Sequence, residues 1–270
     1  EVFVLEKVKY IVAVASGKGG VGKSTTAVNT ALALHAMGQS VGLLDADIYG
    51  PSIGMMLAVP EDQRPDVVDE KFFKPVMAQG LATMSMAYLT TDKTPMVWRG
   101  PMAAGALQQM LQQTQWGELD VLVIDMPPGT GDIQLTLSQK AQISGAVIVT
   151  TPQDIALLDA KKGIEMFLKV KIPVIGIIEN MATHICSQCG AEEAIFGHGG
   201  GEQVAQQYQT QLLGSLPLDR TIREQGDNGN PELIAKNKPE IAGAYKKIAQ
   251  QLLAELDQFS ADSTPEIVFE

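Results

Sequence analysis

Cysteine occurs only twice in these 270 residues, aromatic side chains make up 5%, and 20 lysines and arginines are outnumbered by 31 aspartates and glutamates. Each shortage excludes something. Two cysteines cannot build the disulfide framework of a small secreted domain, and a close pair in a reducing compartment points instead to metal or redox chemistry. A net charge of −11 disfavours partners held by phosphate neutralisation, so neither nucleic acid nor a membrane is expected as a partner. No apolar run reaches the length of a membrane span, and the opening "EVFVLEKVKY" lacks the basic, apolar and small-residue regions of a secretory signal; both predict a cytoplasmic protein.

Hydrophobic residues make up 45% of the chain, enough to bury one large core. Short runs rich in valine and isoleucine read as strands buried on both faces: "YIVAVA" from Tyr10, "SVGLLD" from Ser40, "DVLVID" from Asp120, "GAVIVTT" from Gly145 and "IPVIGIIEN" from Ile172. Helical spacing over 24–37, 102–114 and 155–169 separates them. The alternation predicts an α/β fold, a mostly parallel central sheet with helices on both faces. Residues 1–257 are expected to form one domain. Residues 59–75 read as an excursion at the sheet edge and 181–201 as an irregular stretch, while a last amphipathic helix over 238–256 gives way to an acidic tail over 258–270. The methionines at 55, 56, 77, 84, 86, 96, 102 and 110 read as adaptable core or interface packing.

Gly17-Lys18-Gly19-Gly20-Val21-Gly22-Lys23-Ser24, followed by Thr25, matches the phosphate-loop pattern between a predicted strand and a predicted helix. Glycines let the backbone wrap a phosphate, and the amides of a helix N-terminus face its charge. Lys23 would reach the β and γ phosphates, and the Ser24 hydroxyl would hold Mg²⁺. Two acidic stretches complete such a site. "LLDADIYGPS" carries Asp45 and Asp47 just beyond a strand, with Asp47 the candidate for orienting the attacking water. "VIDMPPGTGD" ends a strand on Asp125, the candidate partner of the Mg²⁺ shell. Outside that setting each aspartate would read as a cap or turn residue.

The stretches "GKGGVGKSTT", "LLDADIYGPS", "DMPPGTGD" and "ENM" together resemble the MinD/ParA and nitrogenase iron protein class of phosphate-loop NTPases, and within it the Mrp branch of iron–sulfur cluster carrier ATPases. The resemblance runs from about residue 7 to about residue 256. It implies that Lys18 crosses a homodimer interface to the partner's phosphates, that Asn180 reads the adenine of ATP, and that "LPLD", with Pro217 and Asp219, borders the base. Without it, Lys18 reads equally well as a solvated lysine, and Asn180 as a buried amide with a structural partner.

"HICSQCG" places Cys186 and Cys189 in a C-x-x-C, half the thiolates that a tetrahedral zinc or an iron–sulfur cluster requires. Two chains meeting at a two-fold axis would supply four. The resemblance implies that arrangement: one [4Fe–4S] cluster bridged between two subunits, taken from a cluster-assembly scaffold and passed to apo iron–sulfur proteins. The pair by itself also admits zinc, an intrachain metal site completed by His184 or His198, or a reversible disulfide. "FGHGGG", over 196–201, reads as a flexible run before a helix, and Trp98 and Arg99 are expected near the dimer interface. Two other functions are weighed against the carrier. A positioning or partition ATPase would need a basic amphipathic C-terminal helix, which "QFSADSTPEIVFE" does not offer, and an electron-transfer reductase would need more cysteine ligands.

Overall fold

The computed structural model describes residues 5–89, 100–186 and 188–262, so Met96, Trp98 and Arg99 lie outside the described residues. The chain opens with β1 (Val8–Ala15), α1 (Lys23–Ala36), β2 (Val41–Asp45) and α2 (Ile53–Met56). The excursion over 59–75 carries a two-residue ribbon, β3 (Val67–Val68) and β4 (Phe72–Phe73), before β5 (Val76–Ala78) and β6 (Leu81–Ser85). Then α3 (Gly100–Gln113), β7 (Leu119–Asp125), α4 (Asp132–Lys140), β8 (Gly145–Thr150), α5 (Asp154–Lys169) and β9 (Val174–Glu179) alternate regularly. A second ribbon, β10 (His184–Ile185) and β11 (Glu192–Glu193), precedes α6 (Gly200–Gln207), β12 (Gln211–Ser215), α7 (Arg220–Asp227), α8 (Leu233–Asn237) and α9 (Pro239–Asp262).

Eight strands form one sheet in the order β12-β9-β8-β1-β7-β2-β6-β5, and within it only the β5–β6 pair is antiparallel. Alternation of side chains across the strands divides the core in two. Ile11, Ala13 and Ala15 of β1 face a cluster with Leu107, Met110, Ile164 and Phe167 from α3 and α5. Tyr10, Val12 and Val14 face the other way, against Leu34 of α1 and Ile248 and Leu252 of α9. Helices therefore cover both faces, as the apolar runs require for a parallel sheet.

Parallel pairing brings the carboxyl ends of β1, β2, β7, β8 and β9 to one rim, where ligands bind in such sheets. The register is specific: Asp45 lies opposite Asp125, and Glu179 lies opposite both Thr150 and Ser215. The helix expected over 238–256 continues to Asp262, so 258–262 are helical and not tail. Leu252 and Leu256, about one turn apart, anchor its last turns in the core, while Asp257 and Gln258 are exposed. The methionine-rich middle is divided between core and surface: Met56, Met84, Met86 and Met110 are buried, whereas Met55, Met77 and Met102 are exposed. Among the described residues no helix is long and apolar enough to cross a membrane.

Candidate functional site

The loop between β1 and α1 is shaped by its glycines. Gly20 (φ 84°) and Gly22 (φ 81°) adopt the left-handed conformation that residues with a Cβ avoid, and Gly22 caps α1. Gly17 is constrained differently: a Cβ there would overlap the Asp159 carbonyl of α5, so its hydrogen allows that helix to close against the loop. The Ser16 hydroxyl donates to the Lys18 carbonyl at 2.8 Å and holds the turn. Lys18, Gly19, Gly20, Gly22, Lys23, Ser24 and Thr25 line a cleft of about 550 Å³. Gly17 and Val21 do not line it. Gly17 is packed on α5, and the Val21 side chain is buried in the core beneath the loop.

Lys23 starts α1 and points back into the rim, where its Nζ donates to Asp125 Oδ1 at 2.5 Å. Both side chains are buried, and among the described residues Asp125 Oδ2 has no hydrogen-bond partner. Burial pushes the Asp125 carboxyl upward, while the Lys23 ammonium and the Ser24 hydroxyl oppose that shift. Asp45, the last residue of β2 rather than a residue beyond it, is fully buried. It accepts from the backbone N–H groups of Asp47 (3.2 Å), Ser52 (3.0 Å) and Ile53 (3.2 Å) and from the Ser85 hydroxyl (3.2 Å). Its carboxyl is pushed up to about 7 by burial and by the charge of Asp125. Asp45 therefore acts as the clamp of the 45–53 loop, whereas Asp47 is half-buried, lines the cleft and accepts from the Gly50 N–H at 3.2 Å. Lys18 also lines the cleft, half-buried, and makes no ion pair among the described residues.

The opposite wall is built by the ends of β9 and β12. Asn180 donates its side-chain amide to the Val21 carbonyl at 2.9 Å and its backbone N–H to Thr150 at 2.7 Å, so it braces the phosphate loop as well as lining the cleft. Pro217, Leu218 and Asp219 continue that wall. Asp219 caps α7 through the Thr221 N–H at 2.7 Å and pairs with Lys238 at 3.3 Å. Burial raises its carboxyl, but those bonds outweigh it and hold the group below the usual range. Leu218 also ties the wall to the next segment: its N–H donates to the Thr183 carbonyl at 2.7 Å, and His184 Nδ1 contacts its carbonyl at 3.2 Å.

Cys186 and Cys189 stand at the tip of the β10–β11 hairpin, in the stretch the sequence left irregular, and both are free thiols. The Cys186 N–H donates to the Ala191 carbonyl and the Gly190 N–H to the Cys186 carbonyl, both at 2.9 Å, with Gly190 at φ 73°. The turn directs the N–H groups of Cys189 and Gln188 at the Cys186 sulfur, and these with the Cys189 thiol hold its acidity above that of an ordinary cysteine. Among the described residues no third histidine, cysteine or carboxylate joins the pair in a metal-binding group. α6 begins inside the glycine run rather than after it: Gly199 (φ 71°) caps the helix, and Gly200 and Gly201 are its first, buried residues. Glu179 was not singled out from the sequence. It is a buried carboxylate ending β9, and it accepts the Gly201 N–H at the start of α6. Its signal was an acid closing an apolar strand, the same signal that marks Asp125.

Comparison with known proteins shows what the chain is similar to. The sequence pattern of a ParA family described as the NUBPL iron-transfer P-loop NTPases matches residues 7–253. The chain is 63% identical over 245 residues to the iron-sulfur cluster carrier protein of Pseudomonas fragi, spanning 91% of this chain and 85% of that one. It is 60% identical over 249 residues to the iron-sulfur cluster carrier protein of Escherichia coli (strain K12), with 92% and 67% covered. Among solved structures, the nucleotide-binding protein of Archaeoglobus fulgidus in complex with ADP superposes with a TM-score of 0.75 at 39% identity, over 84% of this chain and 89% of that one.

Proposed function

The chain belongs to the NUBPL iron-transfer P-loop NTPases of the ParA family, and from that membership we propose that it is an ATP-hydrolysing iron–sulfur cluster carrier. In this reading a homodimer holds one [4Fe–4S] cluster on Cys186 and Cys189 of each subunit and transfers it to apo-proteins. The observation that carries it is the cysteine hairpin. Its turn favours the Cys186 thiolate, yet it offers two sulfurs where a cluster takes four, so a second copy completes the set. A positioning or partition ATPase would use the same cleft but has no task for that hairpin.

The cleft suits a nucleoside triphosphate. Backbone amides of the loop from Gly19 to Ser24 would face the phosphates, Lys23 would be shared between Asp125 and the β and γ phosphates, and Asn180 with Pro217 and Asp219, which line the cleft, would flank the base. The residues also fit Mg²⁺, because the Ser24 hydroxyl interacts with the buried Asp125 carboxylate, whose Oδ2 has no hydrogen-bond partner among the described residues. Bound there, Mg²⁺ would neutralise phosphate charge. Asp47 would orient a water at the γ-phosphorus; its oxygen bonds to phosphorus as the bond to the ADP oxygen breaks, and Lys18 of one subunit would stabilise that charge in the other. Hydrolysis is expected to be slow, as for a switch.

Anaerobic reconstitution with iron and sulfide tests the reading. About four irons and four sulfides per dimer, lost in Cys186→Ala, are expected. No specific iron uptake by the unaltered protein would overturn it.

A further inference from the structure

We infer that His184 is a positioning residue that ties the cysteine hairpin to the base-side wall of the cleft, so that a nucleotide bound there changes the exposure of Cys186 and Cys189. This rests on the proposed nucleotide reading of the cleft.

Leu218 is the shared element. Its side chain lines the cleft, its N–H donates to the Thr183 carbonyl at 2.7 Å, and its carbonyl accepts from His184 Nδ1 at 3.2 Å. A carbonyl only accepts, so Nδ1 carries the proton in this contact. His184 opens β10, pairs with Glu193 of β11, and stands two residues before Cys186. At the start of the same segment, Asn180 reaches across to the Val21 carbonyl of the phosphate loop, and Met181 follows in the left-handed conformation (φ 57°), unusual for a residue with a side chain. The segment from Asn180 to Cys186 is therefore fastened to both walls that a nucleotide would touch.

Residues 188–195 are all exposed, so no core packing competes with the stem. Two backbone bonds, Ala182 N–H to Leu216 and Leu218 N–H to Thr183, join the stem to the base wall, and the imidazole of His184 extends that ribbon one residue nearer the thiols. A displacement of Leu218 by a bound base reaches the hairpin through a short, hydrogen-bonded path with two anchor points, a physical link rather than mere proximity.

The test uses the reduced, cluster-free protein with ADP and Mg²⁺, and follows maleimide modification of each cysteine by mass spectrometry. Saturating ADP is expected to change the modification rate of the unaltered protein by about fivefold or more, the lower range of coupling between linked sites. His184→Ala is expected to bind ADP within about threefold of the unaltered protein while its response to ADP falls below about twofold; His184→Asn, which keeps a side-chain donor, recovers part of it. A full response in folded His184→Ala, or no response in unaltered protein that demonstrably binds ADP, overturns the inference. Absence of ADP binding overturns the nucleotide reading itself, and this inference with it.

Discussion

Lys23 and Asp125 form an ion pair at 2.5 Å with side chains only 6% and 0% exposed, so the lysine of the phosphate loop is held by the carboxylate that ends β7. The pair closes one corner of the cleft and fixes Lys23 before any phosphate arrives. Each charge is tolerable there only because of the other.

Removing one partner should show this directly. Asp125→Ala leaves a buried ammonium without a counter-charge and is expected to lower the unfolding free energy by about 3–5 kcal/mol. Lys23→Met added to Asp125→Ala removes the orphaned cation, and the double variant should regain a substantial part of that loss. Urea unfolding without nucleotide measures both. A double variant no more stable than the single would mean that the pair is not what holds this corner.

The glycines of the loop separate into two kinds by what a methyl group would meet. At Gly17 it would overlap the Asp159 backbone, whereas at Gly19 nothing lies within 4 Å. Gly17→Ala is expected to cost about 1–3 kcal/mol by forcing α5 off the loop. Gly19→Ala should stay within about 0.5 kcal/mol of the unaltered protein. Thermal unfolding of the two variants side by side decides it.

The central strands, the phosphate loop and the acids at strand ends were legible because each is written locally: apolar runs, a glycine-lysine pattern, an aspartate closing a run. What escaped was set by distant contacts. The sequence singles out Asp47 but gives Asp45 no task of its own, and only the folded loop shows Asp45 consumed by Asp47, Ser52, Ile53 and Ser85. Val21 and Gly17 belong to the loop's pattern, yet one faces the core and the other a helix. The ribbon of β10 and β11 spans two residues on each side, too short for alternation to register. The bond from His184 to Leu218 joins residues 34 apart, which no local pattern encodes.

Asp45 should leave a signature in the pH dependence of stability. Its folded carboxyl lies at about 7, above the ordinary 3.8, because of burial and the facing Asp125. Between those values the native state holds a proton that the unfolded chain has released, so stability declines as pH rises through that window and levels off above it. The slope from this one group approaches about 1.4 kcal/mol per pH unit. Asp45→Asn, which keeps acceptor oxygen for the loop, should flatten the profile between pH 5 and pH 7. An unchanged slope in that variant would assign the dependence to other groups.

Lys18 and Lys23 should part company when binding and turnover are measured separately. Lys23 is buried against Asp125, so Lys23→Ala leaves that carboxylate unpaired and, under the proposed nucleotide reading, removes the cation that faces the phosphates. Nucleotide affinity should fall steeply. Lys18 is half-buried at the cleft, makes no ion pair among the described residues, and under the dimer reading acts on the partner's phosphates in the transition state. Lys18→Ala should then bind ADP nearly as the unaltered protein does, yet lose hydrolysis by about 10²–10³-fold, the scale of one missing charge donor. Calorimetric ADP binding with steady-state phosphate release measures both terms. Equal loss of affinity in the two variants would place Lys18 on its own subunit's nucleotide, and would remove the reason for assigning it a role across the interface.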